Sequence, residues 1–497
     1  MYLLGIDIGT SFIKVSLVET NTQKCIVTVS YPDSENAIIS HRNGWAEQSP
    51  EMWWKQVQEA IVKLHQAAKK ALLPTYDSLA IEAIGIAYQM HGLVLVDKNK
   101  KVLRDSIIWC DSRAVSYGEK AFDTIGHQQC LSHLLNAPGN FTAAKLAWVK
   151  ENEPEVFSQI YKVMLPGDYI AMQLSSEITT SIAALSEGIF WDFKNNCISK
   201  DITQHFGLEA SIFPTIQEVF SHHGALSKTV ASTLSLKAGI PISYKAGDQP
   251  NNALSLNVLE PGEVAATAGT SGVIYGVGDT LSYDLASRVN SFAHINHSAT
   301  AHRIGMLLCI NGTGILNSWI KKYVGANYDY STMNQMASTV ASGSDGITIL
   351  PFGNGAERIF NNKIIGAQIL GLDLNKHSAA HLFRAAQEGI AFAFRYGLDI
   401  MRENKLQPTM IKAGKANLFQ SPVFTHSFVN ATGVPVSLYN VEGSVGAALG
   451  AGIGAGMYAS SKEAFAGLKP IDIITPKESE KYNVLYENWK NKLAQFI

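Results

Sequence analysis

The apolar run Tyr2-Leu3-Leu4-Gly5-Ile6 leads straight into Asp7-Ile8-Gly9-Thr10-Ser11, and a second apolar run follows from Phe12 to Val18. Two short apolar segments around a Gly-containing polar turn predict a β-hairpin. The pattern returns 260 positions later, as Val264 to Ala268, the turn Gly269-Thr270-Ser271-Gly272, and then Val273-Ile274-Tyr275. Buried strands are also predicted at residues 84–87, 93–97, 107–108, 242–246 and 410–414. From 377 to 403, apolar residues recur at Leu382, Ala386, Ile390, Ala393, Phe394 and Met401, the period of an amphipathic helix packed on a sheet. Glycines at 443, 446, 450, 452, 454 and 456 match neither a Walker A loop nor a dinucleotide fingerprint. Small residues at those intervals predict instead a helix lying close against a sheet. Strands alternating with helices make the chain α/β, and the recurring hairpin predicts two similar halves facing across a cleft. The boundary is placed just after the polar cluster Gln249 to Asn252, giving domains 1–252 and 253–497.

Composition narrows the function classes. With 497 residues, 46% hydrophobic and 16% charged, the chain has material for two or three well-buried cores. A net charge of -2 leaves no electrostatic footprint for nucleic acid or an anionic membrane. No apolar stretch reaches the length of a membrane span, and the N-terminus lacks the basic-then-apolar signal pattern. The five cysteines are scattered and lack CxxC spacing, which suits reduced thiols in a cytoplasmic protein.

Several segments carry chemistry. In the first hairpin Gly9 lets the backbone turn close to a ligand, Thr10 and Ser11 can face phosphate oxygens, and Lys14 adds positive charge. Asp7 ends a buried strand where it can hold Mg²⁺ through water. Met90 and His91 follow the 84–87 strand, beside Gly92, where they can meet a sugar. Asp111 and Arg113 follow Trp109, a set suited to polyol hydroxyls or to a plain ion pair. Asp248 after Gly247 ends another strand at the domain boundary, and a carboxylate there can accept a hydroxyl proton during phosphoryl transfer. In the C-terminal half, Gly269, Thr270 and the Gly-rich turn at Gly312 offer phosphate contacts, while Gly414 and Asn417 can border adenine or ribose.

Taken in order, these segments resemble the FGGY carbohydrate kinase family over nearly the whole chain. The matching segments are Gly5 to Ser11, Trp45-Ala46-Glu47-Gln48 before Trp53-Trp54, Gln89-Met90-His91-Gly92, Trp109-Cys110-Asp111-Ser112-Arg113 and Lys145-Leu146-Ala147-Trp148. They continue with Leu165-Pro166-Gly167-Asp168-Tyr169, Gly247-Asp248, Gly269 to Gly272 and Gly371-Leu372. The resemblance implies two actin-like (ribonuclease-H-like) domains closing on ATP-Mg²⁺ and a sugar. It implies Asp248 as proton acceptor, Asp7 and Asp248 near the metal, and Met90, His91, Asp111 and Gln249 at the sugar. The Gln-Met-His-Gly segment resembles members that phosphorylate D-xylulose on its terminal hydroxyl, not glycerol or gluconate kinases.

Some positions depart from the family pattern. Gln249 stands where Asn is usual after the base, and Ser181-Ile182-Ala183-Ala184 lacks the Asp and Ser of the usual Thr-Asp-x-Ser. The adenosine turn reads Ala413-Gly414-Lys415, and Gly-Glu-Arg-Thr-Pro is shortened to Ala356-Glu357-Arg358-Ile359. D-ribulose, L-xylulose or another polyol therefore stay open as acceptors, and a homodimer is compatible with the family. The alternative outside enzymes is a silent sugar- or nucleotide-binding regulator on the same scaffold. Retention of Asp7, Asp248 and both Gly-Thr-Ser turns favours the enzyme.

Overall fold

The computed structural model describes residues 1–72 and 75–497. The chain forms two compact units, residues 1–259 with 292–304 and 441–468, and residues 260–291 with 305–440 and 469–497. The expected cut at 252 falls near the first crossing. A single cut does not describe the chain, however, because two later segments return to the first unit.

In the first unit, strands β1 (Tyr2–Ile8), β2 (Ile13–Glu19), β3 (Cys25–Tyr31), β4 (Ile81–Tyr88) and β5 (Ile242–Gly247) form one sheet in the order β5-β4-β1-β2-β3. The β1–β2 hairpin is antiparallel with Asp7 opposite Lys14, and β4 and β5 extend the sheet in parallel. One face carries helix α1 (Pro50–Leu72), whose Trp53, Val57, Ile61 and Leu64 are buried against β-strand residues such as Leu4, Ile6 and Val15. Helix α2 (Asp248–Ser255) continues directly from β5.

The opposite face takes helix α3 (Gly443–Gly454), which arrives from the far end of the sequence. Its glycine-rich composition has a geometric cause. An added Cβ at Gly5 would stand 1.7 Å from the Ser444 carbonyl oxygen, and one at Gly85 would stand 1.9 Å from that of Ala447. Helix and sheet touch backbone to backbone, as the small-residue spacing predicts. The Ser16 and Ser444 hydroxyls bond at 2.8 Å, and Ser243 Oγ donates to the Ala451 carbonyl. Gly5→Ala is therefore expected to lower stability by about 1–3 kcal/mol or more, the usual cost of overpacking. A urea midpoint equal to wild type would contradict this contact.

The second unit repeats the plan. Its sheet contains β6 (Glu263–Ala268), β7 (Gly272–Gly278), β8 (Asn290–Ala293), β9 (Ile304–Ile310), β10 (Met410–Gly414), β11 (Val436–Tyr439) and β12 (Asp472–Ile474), in the order β8-β9-β7-β6-β10-β11-β12. Here β6 and β7 form the antiparallel hairpin, while β10 pairs in parallel with β6 and β11 with β10. These are the relations of β1, β2, β4 and β5, so the recurring hairpin does mark a repeated fold. The helix Ala379–Glu403 buries Phe383, Ile390, Phe394 and Met401 in this core. No helix among the described residues is long and apolar enough to cross a membrane.

Candidate active site

At the tip of the first hairpin, the Gly9 amide donates to the Phe12 carbonyl at 3.0 Å and closes the turn. Thr10 Oγ1 donates its single hydrogen to Gln89 Oε1 and accepts one from Trp109 Nε1, both at 3.0 Å. Gln89 Nε2 donates to Gln48 Oε1, and Gln48 Nε2 returns to the Thr10 carbonyl at 2.9 Å. The Thr10 hydroxyl expected to meet phosphate is thus a strut that fixes the loop to the Gln48 and Gln89 segments. Ser11 lies beside it, partly exposed. The Lys14 ammonium is held 2.9 Å from the Glu442 carboxylate, in a half-exposed pair.

Of the two roles expected for it, Asp111 shows the ion pair. It is 0% exposed, accepts the Ala46 amide at 2.6 Å and is gripped by the Arg113 guanidinium, whose Nη2 is 2.7 Å away. Arg113 also reaches Glu47 at 2.6 Å and stacks over Trp45, 3.8 Å from the ring centre. The Asp111 carboxylate is committed to these partners inside the protein, which is the ion-pair reading. Arg's planar fork suits such a bidentate, buried pairing.

Two carboxylates come together at the strand ends. Asp7 is the last residue but one of β1 and Asp248 opens α2, where Gln249 hydrogen-bonds the Asp248 carboxylate through its backbone and its side chain. Burial pushes Asp248 up to about 7, and the negative Asp7 adds to this. Burial likewise raises Asp7 to about 6, with Lys14 opposing and Glu442 adding. Paired carboxylates in a partly desolvated setting hold protons that a bound cation would displace. A Cβ at Gly443 would lie 2.4 Å from Asp7 Oδ2, so only glycine leaves room there. Asn251, one turn along α2, donates Nδ2 to the Gly443 carbonyl at 2.9 Å, and its buried Oδ1 has no protein partner. Oxygen donors, an orphaned acceptor and a glycine cradle fit a hard divalent cation that keeps most of its water.

The turn after β4 stands beside Gly247, the residue before Asp248. Met90 is 5% exposed, and a Cβ at Gly247 would meet its Cγ at 2.6 Å. His91 is half-buried with φ 62, its ring edge-on to Phe141 at 4.9 Å and tilted against Phe292 at 5.5 Å. The Lys145 ammonium, buried and lowered by that burial to about 7, donates to the His91 and Ile108 carbonyls at 2.8 and 2.9 Å. Strand β5, which leads to Asp248, is anchored by Lys245, whose Nζ lies 2.6 Å from both Asp168 Oδ1 and the Thr179 carbonyl.

In the second unit, a cavity of about 810 Å³ opens beside the β6–β7 turn, lined by Gly269, Thr270, Gly314, Asn334, Asn417 and Ser421 among others. That volume accommodates a nucleoside. The helix Gly314–Tyr323 is locked to the turn, because the Gly314 and Ile315 amides donate to the Gly269 and Thr270 carbonyls at 3.0 and 3.1 Å. Gly312 departs from expectation. Its amide donates to Glu357 Oε1 at 3.0 Å, and a Cβ there would be 1.9 Å from the Pro351 carbonyl oxygen. It is packed into the fold and supports the loop instead of lining the cavity. Glu357, pushed up to about 7 by burial, also accepts the Asn311 amide. Gly414 ends β10 outside the lining, whereas Asn417, at φ 51, faces the cavity.

The sequence reading did not single out Glu187, Asn251, Glu442 or Gln89 as site residues. Asn251 and Glu442 carry a usable signal, since each lies beside a glycine-rich or Gly-Asp segment already marked.

The N-terminal domain of the FGGY family of carbohydrate kinases matches residues 2–255, and its C-terminal domain matches residues 264–459. The xylulose kinase of Bacillus subtilis is 28% identical over 501 residues, spanning 99% of this chain and 96% of that protein. That of Escherichia coli is 28% identical over 95% of this chain and 92% of its own. The crystal structure of xylulose kinase from Rhodospirillum rubrum superposes with a TM-score of 0.88 at 25% identity, covering 100% of this chain and 99% of that one.

Proposed function

The chain belongs to the FGGY family of carbohydrate kinases, phosphotransferases with a sugar hydroxyl as acceptor, and we propose that it phosphorylates the terminal, carbon-5 hydroxyl of D-xylulose from ATP. The observation that carries the reading is Asp248: a carboxylate at a strand end, poised near neutrality, next to the Met90–His91 turn. Such a group takes a hydroxyl proton as the oxygen attacks phosphorus. Met90 and His91 supply the sugar wall, with Gln249 orienting the base. The β6–β7 turn and the cavity beside it receive the nucleotide, with Asn417 toward its base or ribose. Asp7 and Asp248 are the residues that would hold Mg²⁺ through water, and that ion supplies charge neutralisation on the phosphates. The likeness to xylulose kinases of two bacteria, 28% identical over most of the chain, supports the pentulose assignment.

A coupled assay with ATP and a panel of D-xylulose, D-ribulose, L-xylulose, gluconate and glycerol tests the proposal. The largest kcat/KM is expected for D-xylulose. A larger value for any other acceptor replaces the substrate, and no turnover with any of them removes the kinase reading.

A further inference from the structure

Glu187 closes the short helix Ile182–Glu187, is 2% exposed and follows the apolar run Ile182-Ala183-Ala184-Leu185. A carboxyl placed there is costly unless it is bonded. Tyr88 hydrogen-bonds the carboxyl, and two further bonds fall on one residue. Glu187 Oε1 accepts the His91 amide hydrogen at 3.1 Å, and the Glu187 carbonyl faces His91 Nδ1 at 3.0 Å. A carbonyl can only accept, so that ring nitrogen carries the hydrogen.

His91 needs such a hold. Its left-handed backbone, φ 62, costs of the order of 1–3 kcal/mol for a residue with a side chain and persists only when neighbours enforce it. Lys145 grips the carbonyl of the same residue at 2.8 Å, so the turn is clamped at its N–H and at its C=O. The second oxygen of Glu187 faces the base strand, where a Cβ at Gly247 would lie 2.8 Å from Oε2. One carboxyl group thus touches both the turn bearing Met90 and His91 and the residue immediately before Asp248.

We propose that Glu187 is a positioning residue for phosphoryl transfer, setting the spacing between the sugar-facing turn and the base. The inference rests on the reading of Met90, His91 and Asp248 given above. Burial, with Asp248 and Asp168 as further negative neighbours, pushes the Glu187 carboxyl well above the usual carboxylate range. The neutral group is the form that a glutamine reproduces.

Glu187→Gln keeps the oxygen for the His91 amide and the volume beside Gly247, so its steady-state kinetics are expected to stay within about 3-fold of wild type. Glu187→Asp withdraws the carboxyl by one methylene and loses the buried bond to His91. It is expected to raise KM for D-xylulose about 10-fold, the worth of one buried hydrogen bond, while KM for ATP stays within about 2-fold. Equal shifts in both KM values, or an aspartate variant that matches wild type, overturn the inference. So does a glutamine variant as impaired as the aspartate. His91→Ala, measured in parallel, separates the layers. If it leaves the sugar KM unmoved, the sugar-turn reading falls and this inference with it. If His91→Ala responds and Glu187→Asp does not, only the role of Glu187 falls.

Discussion

Asp248→Asn is expected to lower kcat by about 10²–10⁴-fold while leaving D-xylulose affinity nearly unchanged, the usual worth of a positioned proton acceptor. The amide has the shape of the carboxyl and retains one acceptor for Gln249, but it cannot take the hydroxyl proton. The same substitution carries a stability signature of opposite sign. Burial raises the carboxyl from 3.8 to about 7, so in the folded protein its charged form is the disfavoured one. A group whose folded pKa is raised binds protons more tightly folded than unfolded, and stability falls as pH rises through that window. Wild type, free of nucleotide and metal, should therefore lose stability between about pH 4 and 7 in part through Asp248. The asparagine variant lacks that loss. Its thermal midpoint in EDTA should exceed wild type at pH 8 and approach it at pH 4. A variant keeping more than a tenth of the wild-type rate would show that Asp248 is structural. A midpoint lowered at pH 8 would show that its ionised form is a stabilising partner.

Much of the fold was legible because it rests on local pattern. The two hairpins declare themselves by apolar runs flanking Gly-Thr-Ser, and Gly443 to Gly456 declares a close-packed helix because only small residues tolerate contact with β1 and β4. The return of residues 441–468 to the first unit was not legible, because nothing local tells which of two similar sheets a helix will cover. The site divides the same way. Gly-Asp at 247–248 and Met-His at 90–91 stand at strand ends, where alternation stops and chemistry can begin. Asp111 stayed open between two roles because Trp-Cys-Asp-Ser-Arg reads identically whether its carboxylate faces solvent or the guanidinium two residues on. Burial decides, and burial belongs to the tertiary fold. Gly312 misled for a related reason, since a glycine that admits a phosphate and one that admits the Pro351 carbonyl look alike in sequence. Glu187 was hidden by distance, because its partner His91 lies 96 positions away.

The nucleotide side yields the second large effect. Gly314→Ala is expected to weaken ATP binding about 10–100-fold while D-xylulose binding stays at its wild-type value. The added Cβ would stand 2.0 Å from the Gly269 carbonyl oxygen and 3.4 Å from the Thr270 amide nitrogen. Both obstacles are backbone, so no side chain can rotate away. Either the turn moves or the helix Gly314–Tyr323 withdraws, and each breaks the 3.0 Å bond from the Gly314 amide to Gly269. The turn and the helix start are walls of the 810 Å³ cavity, so the strain appears where the nucleotide must sit. Overpacking costs about 1–3 kcal/mol, and 1.4 kcal/mol is tenfold in affinity, which sets the range. Met90, His91 and Asp248 belong to the other compact unit, so the sugar-side groups keep their own packing. Titration calorimetry with a non-hydrolysable ATP analogue, and separately with D-xylulose, reads the two affinities. An unchanged nucleotide affinity would mean that the cavity beside the turn is not the nucleotide site. A parallel loss of sugar affinity would mean that the substitution had loosened the protein as a whole.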